Sequence, residues 1–147
     1  MKRLPKGVTL IELLVVVAII GVFIVPVFIT YSSSRNNQAI RTSADSLSNV
    51  LKTAHIYARE AKDQRSWAIR STGPTTYELA NGTCDQLQSV TQYRLESNVS
   101  FANEFSFCYE IGTGDTATRG QIVMGTTTGR RIQLDVYTTG IVELNNL

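Results

Sequence analysis

The hydrophobic pattern of the chain changes character twice. Val8 to Ile29 is an almost unbroken apolar run in which Glu12 is the one charge. From Ile40 the apolar positions thin to a stripe, Ile40, Ala44, Leu47, Leu51, Ala54, Ala58 and Ala61, spaced alternately four and three residues apart. After Gln64 they fall into short segments cut by Gly, Pro, Asn and Thr. The first run is apolar on every face, whereas a core helix is apolar along one stripe. Its 22 residues at ~1.5 Å each give a helix of about 33 Å, enough to cross a hydrocarbon core of roughly 30 Å. The stripe from Ile40 is one face of an amphipathic helix, with Arg41, Asp45, Asn49, Lys52, Arg59 and Lys62 turned away from it. No Gly or Pro separates Tyr31 from Ile40, so the spacing predicts one long helix from about Thr9 to about Lys62. Within it, Pro26 lacks a backbone donor and is expected to kink the helix.

Seven segments beyond Gln64 have strand character: 66–70, 76–80, 91–96, 105–111, 121–125, 131–137 and 141–144. Asn81 and Gly82 are expected to end the second, and Thr138, Thr139 and Gly140 to close a hairpin before the last. In 131–137 the alternation is clean, with Ile132, Leu134 and Val136 on one face and Arg131, Gln133 and Asp135 on the other. The Ile40–Ala61 stripe is the natural cover for that apolar face. The fold class expected is therefore α+β, one long N-terminal helix packed on a C-terminal antiparallel sheet.

The junction ahead of the apolar run is specific. Lys2, Arg3 and Lys6 lead into Gly7, then Val8, Thr9, Leu10, Ile11 and Glu12. A secretory signal carries its small-residue cleavage site after the apolar region, and here the candidate, Gly7, precedes it. KGVTLIELLVVVAIIG resembles the class III signal of type IV pilins and type II secretion pseudopilins. The resemblance implies a pilin-like fold and a prepilin peptidase that cuts between Gly7 and Val8 and methylates the new amino terminus, Val8. It implies that Glu12 pairs with the amino terminus of a neighbouring subunit during filament assembly. The family usually has Phe where this chain has Val8, and often a proline near Ile29 rather than at Pro26. The implied partners are the peptidase, other pilin or pseudopilin subunits, an inner-membrane assembly platform and, indirectly, a cytoplasmic ATPase. On residue type alone, a carboxylate inside a membrane helix is costly and kept for function, or is protonated or snorkels to the interface.

Charge fits that reading. Lys2, Arg3 and Lys6 follow the positive-inside rule and place the rest of a single-pass protein outside the cytoplasm. Of 14 Lys and Arg, removing these three leaves 11 against 12 Asp and Glu, a mature side-chain net of about −1. The expected divisions are a leader at 1–7, a membrane and filament-core helix at 8–30, its amphipathic continuation at 31–64 and an exported β-rich domain at 65–147. Cys84 and Cys108 both lie in the exported part, where an oxidising compartment favours a disulfide; the alternative is two unpaired thiols. The lone His55 has no Cys or acidic residue at ligand spacing and reads as a boundary histidine.

No phosphate loop, Cys-x-x-Cys, His-x-x-x-His or serine elbow occurs, so neither an enzyme nor a cofactor is expected. The C-terminal part, with Gly129, Arg130, Arg131 and a last strand after Gly140, resembles GspH/FimT-type pseudopilins and minor pilins, some of which bind DNA. Those carry a Gly-Arg-x-Arg-like tail where this chain reads Gly140, Ile141, Val142, Glu143. Arg119, Arg130 and Arg131 are the candidate DNA contacts, too few for a phosphate-binding stripe. A third reading is a membrane-anchored binding module with an uncleaved helix.

Overall fold

The computed structural model describes residues 9–146, with side chains at 9–22 and 34–145. One helix, α1 (Leu10–Arg59), is followed by a 3-10 turn at Lys62–Gln64 and eight strands. These are β1 (Ser66–Ser71), β2 (Thr76–Thr83), β3 (Gln86–Arg94), β4 (Val99–Phe101), β5 (Ser106–Tyr109), β6 (Gly120–Thr126), β7 (Arg131–Val136) and β8 (Val142–Asn146). The chain divides into two compact units, residues 1–35 and 36–147. α1 continues through Pro26, whose side chain, like that of every residue from 23 to 33, lies outside the described ones.

The fold is α+β, as expected, with the C-terminal half of α1 amphipathic and packed on antiparallel sheet. The strands form two sheets rather than one, ordered β3-β2-β1-β5 and β4-β6-β7-β8. Strand boundaries also differ from the sequence expectation: β2 does not end at Asn81 and Gly82 but runs through them to Thr83, because both pair with β1, and β5 stops at Tyr109. β3 starts at Gln86, well before Thr91, and is exposed along nearly its whole length, so no apolar alternation marks it. β4 is only three residues long. A register shift opposite Leu79 and Ala80, which pair with Thr91 and Ser89, leaves Val90 as the extra residue of a bulge. The helix ends at Arg59, short of Lys62: the Ala61 N–H donates to the Ala58 carbonyl at 3.0 Å and Ala61 turns left-handed, with φ 52°.

One core serves the whole of residues 36–147. Ile40, Ala44, Leu47, Leu51, Ala54 and Ala58 of the predicted stripe are all buried, together with Trp67, Ile69 and Tyr77 of the first sheet and Ile122, Met124 and Leu134 of the second. The three alanines have no exposed area at all, so the backbone of α1 approaches the strands closely while Leu47 and Leu51 fill the space between. Aromatic rings close the seam between the sheets. Phe101 of β4 meets the Tyr77 ring at 6.0 Å and the Phe105 ring at 5.0 Å, both edge-on. Tyr77 stacks on Tyr93 at 5.2 Å, and its hydroxyl lies 3.3 Å from that of Ser46 on α1.

His55 is a boundary histidine with a structural task. Its ring lies so close to Gly114 and Gly140 that a Cβ at either position would overlap it, and both glycines have φ near 75°. The imidazole thus presses two loops, after β5 and after β7, onto α1. Its other neighbour is the Tyr109 ring, 5.9 Å away. The Tyr109 hydroxyl is buried without a hydrogen-bond partner among the described residues, and burial pushes its ionisation well above the usual phenol range. Cys84, in the β2–β3 turn, is bridged to Cys108 of β5 with the Cα atoms 5.7 Å apart.

Leu51→Ala tests the shared core. It is expected to cost about 2–5 kcal/mol, read as a lower urea midpoint with an unchanged slope. A loss below about 1 kcal/mol would mean that the stripe is not where the two sheets close.

Candidate functional site

The amino-terminal end of α1 is built from a capping spacing. Thr9 precedes the first helical residue, its carbonyl accepts the N–H of Glu12 at 3.1 Å and of Leu13 at 3.2 Å, and its hydroxyl also faces the Glu12 N–H at 3.4 Å. Thr9-x-x-Glu12 is the arrangement of a capping box, in which the third residue is Glu or Gln. Glu12 thereby stands in the first turn, where the helix dipole favours a negative charge. Its carboxylate is exposed and forms no ion pair with any described residue. Around it the helix is apolar and uncovered. Leu10 is 77% exposed, Ile11 71%, and each of the ten large aliphatic side chains between Leu10 and Val22 is about half exposed or more. A Cβ at Gly21 would meet nothing within 4 Å. Such a surface is satisfied by lipid or by other apolar helices, not by water. The apolar run as a whole, Val8 to Ile29, extends beyond the described side chains. Among the described residues no helix is long and apolar enough to cross a membrane. Gly7 and Val8 lie outside the described residues.

The candidate DNA contacts do not converge. Arg130 and Arg131 sit at the β6–β7 turn, where the Arg130 carbonyl accepts the Thr126 N–H at 2.9 Å and Arg131 pairs with Gly125. Arg119 precedes Gly120, which pairs with Val136 at the other end of the same hairpin, roughly 20 Å away at ~3.4 Å per residue. Its guanidinium lies over the Tyr137 ring at 4.6 Å and near Asp135. That separation leaves no joint cationic patch.

The outward face of the second sheet instead holds a satisfied polar network that the sequence did not suggest. Asp135 is buried, accepts the Gln133 amide at 3.0 Å and the Asn145 amide at 2.7 Å, and is also reached by Gln121. Burial pushes its carboxyl up, but the three amide donors and the Arg119 charge outweigh that and hold it below the usual carboxylate range. Next to it, the Tyr137 hydroxyl donates to the Glu143 carboxylate at 2.9 Å, and that bond and charge raise the phenol's ionisation. Among the described residues no three His, Cys, Asp or Glu side chains gather where they could hold a metal ion.

A family model described as a prokaryotic N-terminal methylation motif matches residues 2–28. The chain carries a class III prepilin-type signal. The motif covers the junction at Gly7, the capped turn at Glu12 and the uncovered apolar helix, and it supports a structural subunit of the pilin or pseudopilin kind. No solved structure matches the chain.

One signal at this site went unread in the sequence. Thr9 and Glu12 have capping-box spacing, and the Thr9 hydroxyl and carbonyl both face the Glu12 backbone N–H. The Asp135 network had no comparable signal, because its members come from three strands whose pairing had to be known first.

The Asp135 environment sets an acid response. A carboxyl held lower in the folded than in the unfolded chain contributes stability that is complete above its unfolded value and lost as pH falls through its folded one. Thermal midpoints should therefore fall below about pH 4, more steeply in the parent protein than in Asp135→Asn. Identical acid slopes would show that the network does not hold the charged form. Glu78 is lowered as well, burial being outweighed by hydrogen bonds from Ser89 and Arg70 and by the Arg70 charge, so some slope remains in the variant.

Proposed function

We propose that this chain is a subunit of a type IV pilus or a type II secretion pseudopilus, a GspH/FimT-like minor subunit by its C-terminal residues. It is held in the cytoplasmic membrane by its N-terminal helix, with the β-rich part outside the cytoplasm, and is then drawn into an extracytoplasmic filament. The observation that carries this reading is the methylation motif at residues 2–28 continuous with an apolar helix surface that nothing in the described chain covers. A prepilin peptidase removes residues 1–7 and methylates Val8. The helix then exchanges lipid contacts for packing against the same helix of neighbouring subunits, with Ala18 and Gly21 allowing close approach. Glu12 offers its carboxylate to the amino terminus of an adjacent subunit. In this scheme the membrane segment is 8–30, the amphipathic continuation 31–64 and the exported domain 65–147, and Pro26 loosens the helix within the first of these.

The capping geometry gives the scheme a sharper test than a simple loss of charge. Glutamine can complete a capping box but carries no charge, whereas leucine does neither. Intact mass from membranes of a host with its prepilin peptidase should show loss of Met1–Gly7 plus one methyl, and the full chain without the enzyme. Both Glu12→Gln and Glu12→Leu should be processed, and both should fail to enter filaments if charge pairing drives assembly. Glu12→Gln that assembles as well as the parent would reduce Glu12 to a helix cap. A chain that keeps Met1 in both hosts would overturn the pilin reading in favour of a plain membrane anchor.

A further inference from the structure

At one end of the first sheet lies an open surface depression of about 310 Å³, a volume within the range of small-molecule sites. It lies across the ends of three neighbouring strands: Gln64, Arg65 and Ser66 where the chain enters β1, Gly82 and Thr83 at the end of β2, with Ser66 paired to Gly82, and Gln86 and Gln88 of β3. Ile111, 42% exposed, supplies the apolar floor. Among the described residues, none of the amides, hydroxyls or the guanidinium lining it makes a side-chain hydrogen bond within the protein. Their hydrogen-bonding capacity is turned to the cavity and solvent.

The walls are held in place by unusual means. Ala61, Asp63 and Gln64 are all left-handed, with φ of 52°, 59° and 53°, a conformation costly for residues other than glycine and one that clusters at binding sites. That backbone is pinned by the Lys62 carbonyl, which accepts the Trp67 indole N–H at 3.3 Å, and by the Lys62 ammonium 3.5 Å above the Tyr57 ring. On the neighbouring strand, Gly82 has φ 143°, and a Cβ there would overlap the Gln86 carbonyl oxygen. The Cys84–Cys108 bridge ties that turn to β5. The loop of Ile111 is fixed to α1 by the Gly112 N–H donating to the Ala58 carbonyl at 2.8 Å. The backbone of the site is therefore already ordered, and the freedom lost on binding is that of the exposed Gln and Arg side chains.

The lining chemistry selects a class of ligand. A primary amide presents donors and an acceptor side by side, the match for vicinal hydroxyls that also donate and accept. Arg65 is the one charge, and its planar fork suits a carboxylate. Among the described residues no carboxylate is in the lining, so a cationic ligand would find no counter-charge in direct contact. We propose that this cavity binds a hexuronate unit of an acidic saccharide, with Arg65 on the carboxylate, Gln64, Gln86 and Gln88 on the hydroxyls and Ile111 against the C–H face of the ring. This holds whether or not the chain enters a filament, and its test does not depend on assembly.

Sodium glucuronate titrated into the full chain in detergent micelles, followed by the side-chain amide NMR signals of Gln64, Gln86 and Gln88, is the experiment. Saturable shifts at millimolar concentration are expected, at least about tenfold weaker with glucose and with Arg65→Gln, the size of losing one charged hydrogen bond. Arg65 is exposed, so the rest of that variant's spectrum should be unchanged, which separates lost binding from lost fold. Absence of saturable shifts with glucuronate, an equal response to acetate, or undiminished binding by Arg65→Gln would each overturn the assignment.

Discussion

The structure from residue 36 onward depends on one surface, the stripe of α1 from Ile40 to Ala58. Each four-stranded sheet has a single apolar face, and such a face is stable only when another element covers it. Both sheets use the same cover, as the single core cluster shows. The composition of the stripe makes this geometry available. Alanine at 44, 54 and 58 leaves the strands room to approach, and leucine at 47 and 51 fills the layer to a dense packing. With larger residues at the alanine positions the sheets would be pushed apart and the aromatic seam of Tyr77, Phe101 and Phe105 would open.

The same helix meets the opposite problem at its start. Residues 10–22 are apolar on every face, so no single partner surface could cover them, and the stripe logic of residues 40–58 cannot apply. Their surroundings must be apolar on all sides, a requirement met by lipid tails and by a packed bundle of like helices. In the proposed scheme that common property would let one segment serve first as anchor and then as filament core. Glu12 is the exception that such a segment can tolerate. In the first turn it lies where the helix dipole stabilises a carboxylate, three residues after Thr9 as in a capping box. In the proposed scheme the first turn places the charge and the amino terminus of a neighbouring subunit would give it a use.

What was legible in the sequence follows from whether the signal is local. The helix stripe, the clean alternation of β7 and the amino-terminal motif each depend on residues close together in the chain, and each was read. The division into two sheets was not, because strand pairing between distant segments leaves no periodic mark. β3 escaped because an edge strand exposed on both faces has no apolar alternation, and β4 because three residues are too few to show one. The three arginines looked like neighbours in composition, yet β6 and β7 hold Arg119 at one end of a hairpin and Arg130 with Arg131 at the other.

Departures from ordinary backbone and side-chain preferences are unevenly spread through residues 36–147, and their placement is informative. The opposite end of the first sheet is closed by plain backbone bonds, Leu95 N–H to the Thr75 carbonyl and Phe101 N–H to the Pro74 carbonyl, at 2.9 and 2.8 Å. The second sheet is a meander from β6 to β8, its turns made by glycines at 129 and 140 that adopt positive φ without strain. By contrast the left-handed Ala61, Asp63 and Gln64, the tight Gly82 and the disulfide crowd one end of the first sheet. Domains that are locally consistent elsewhere break such rules at sites of use. A fourth left-handed residue, Asn98 with φ 70°, lies ahead of β4, and the other three fall within four positions where the helix gives way to β1. The extra cost at Asp63 and Gln64 sets the course of the chain into β1, and with it the positions of Gln64 and Arg65 facing the cavity.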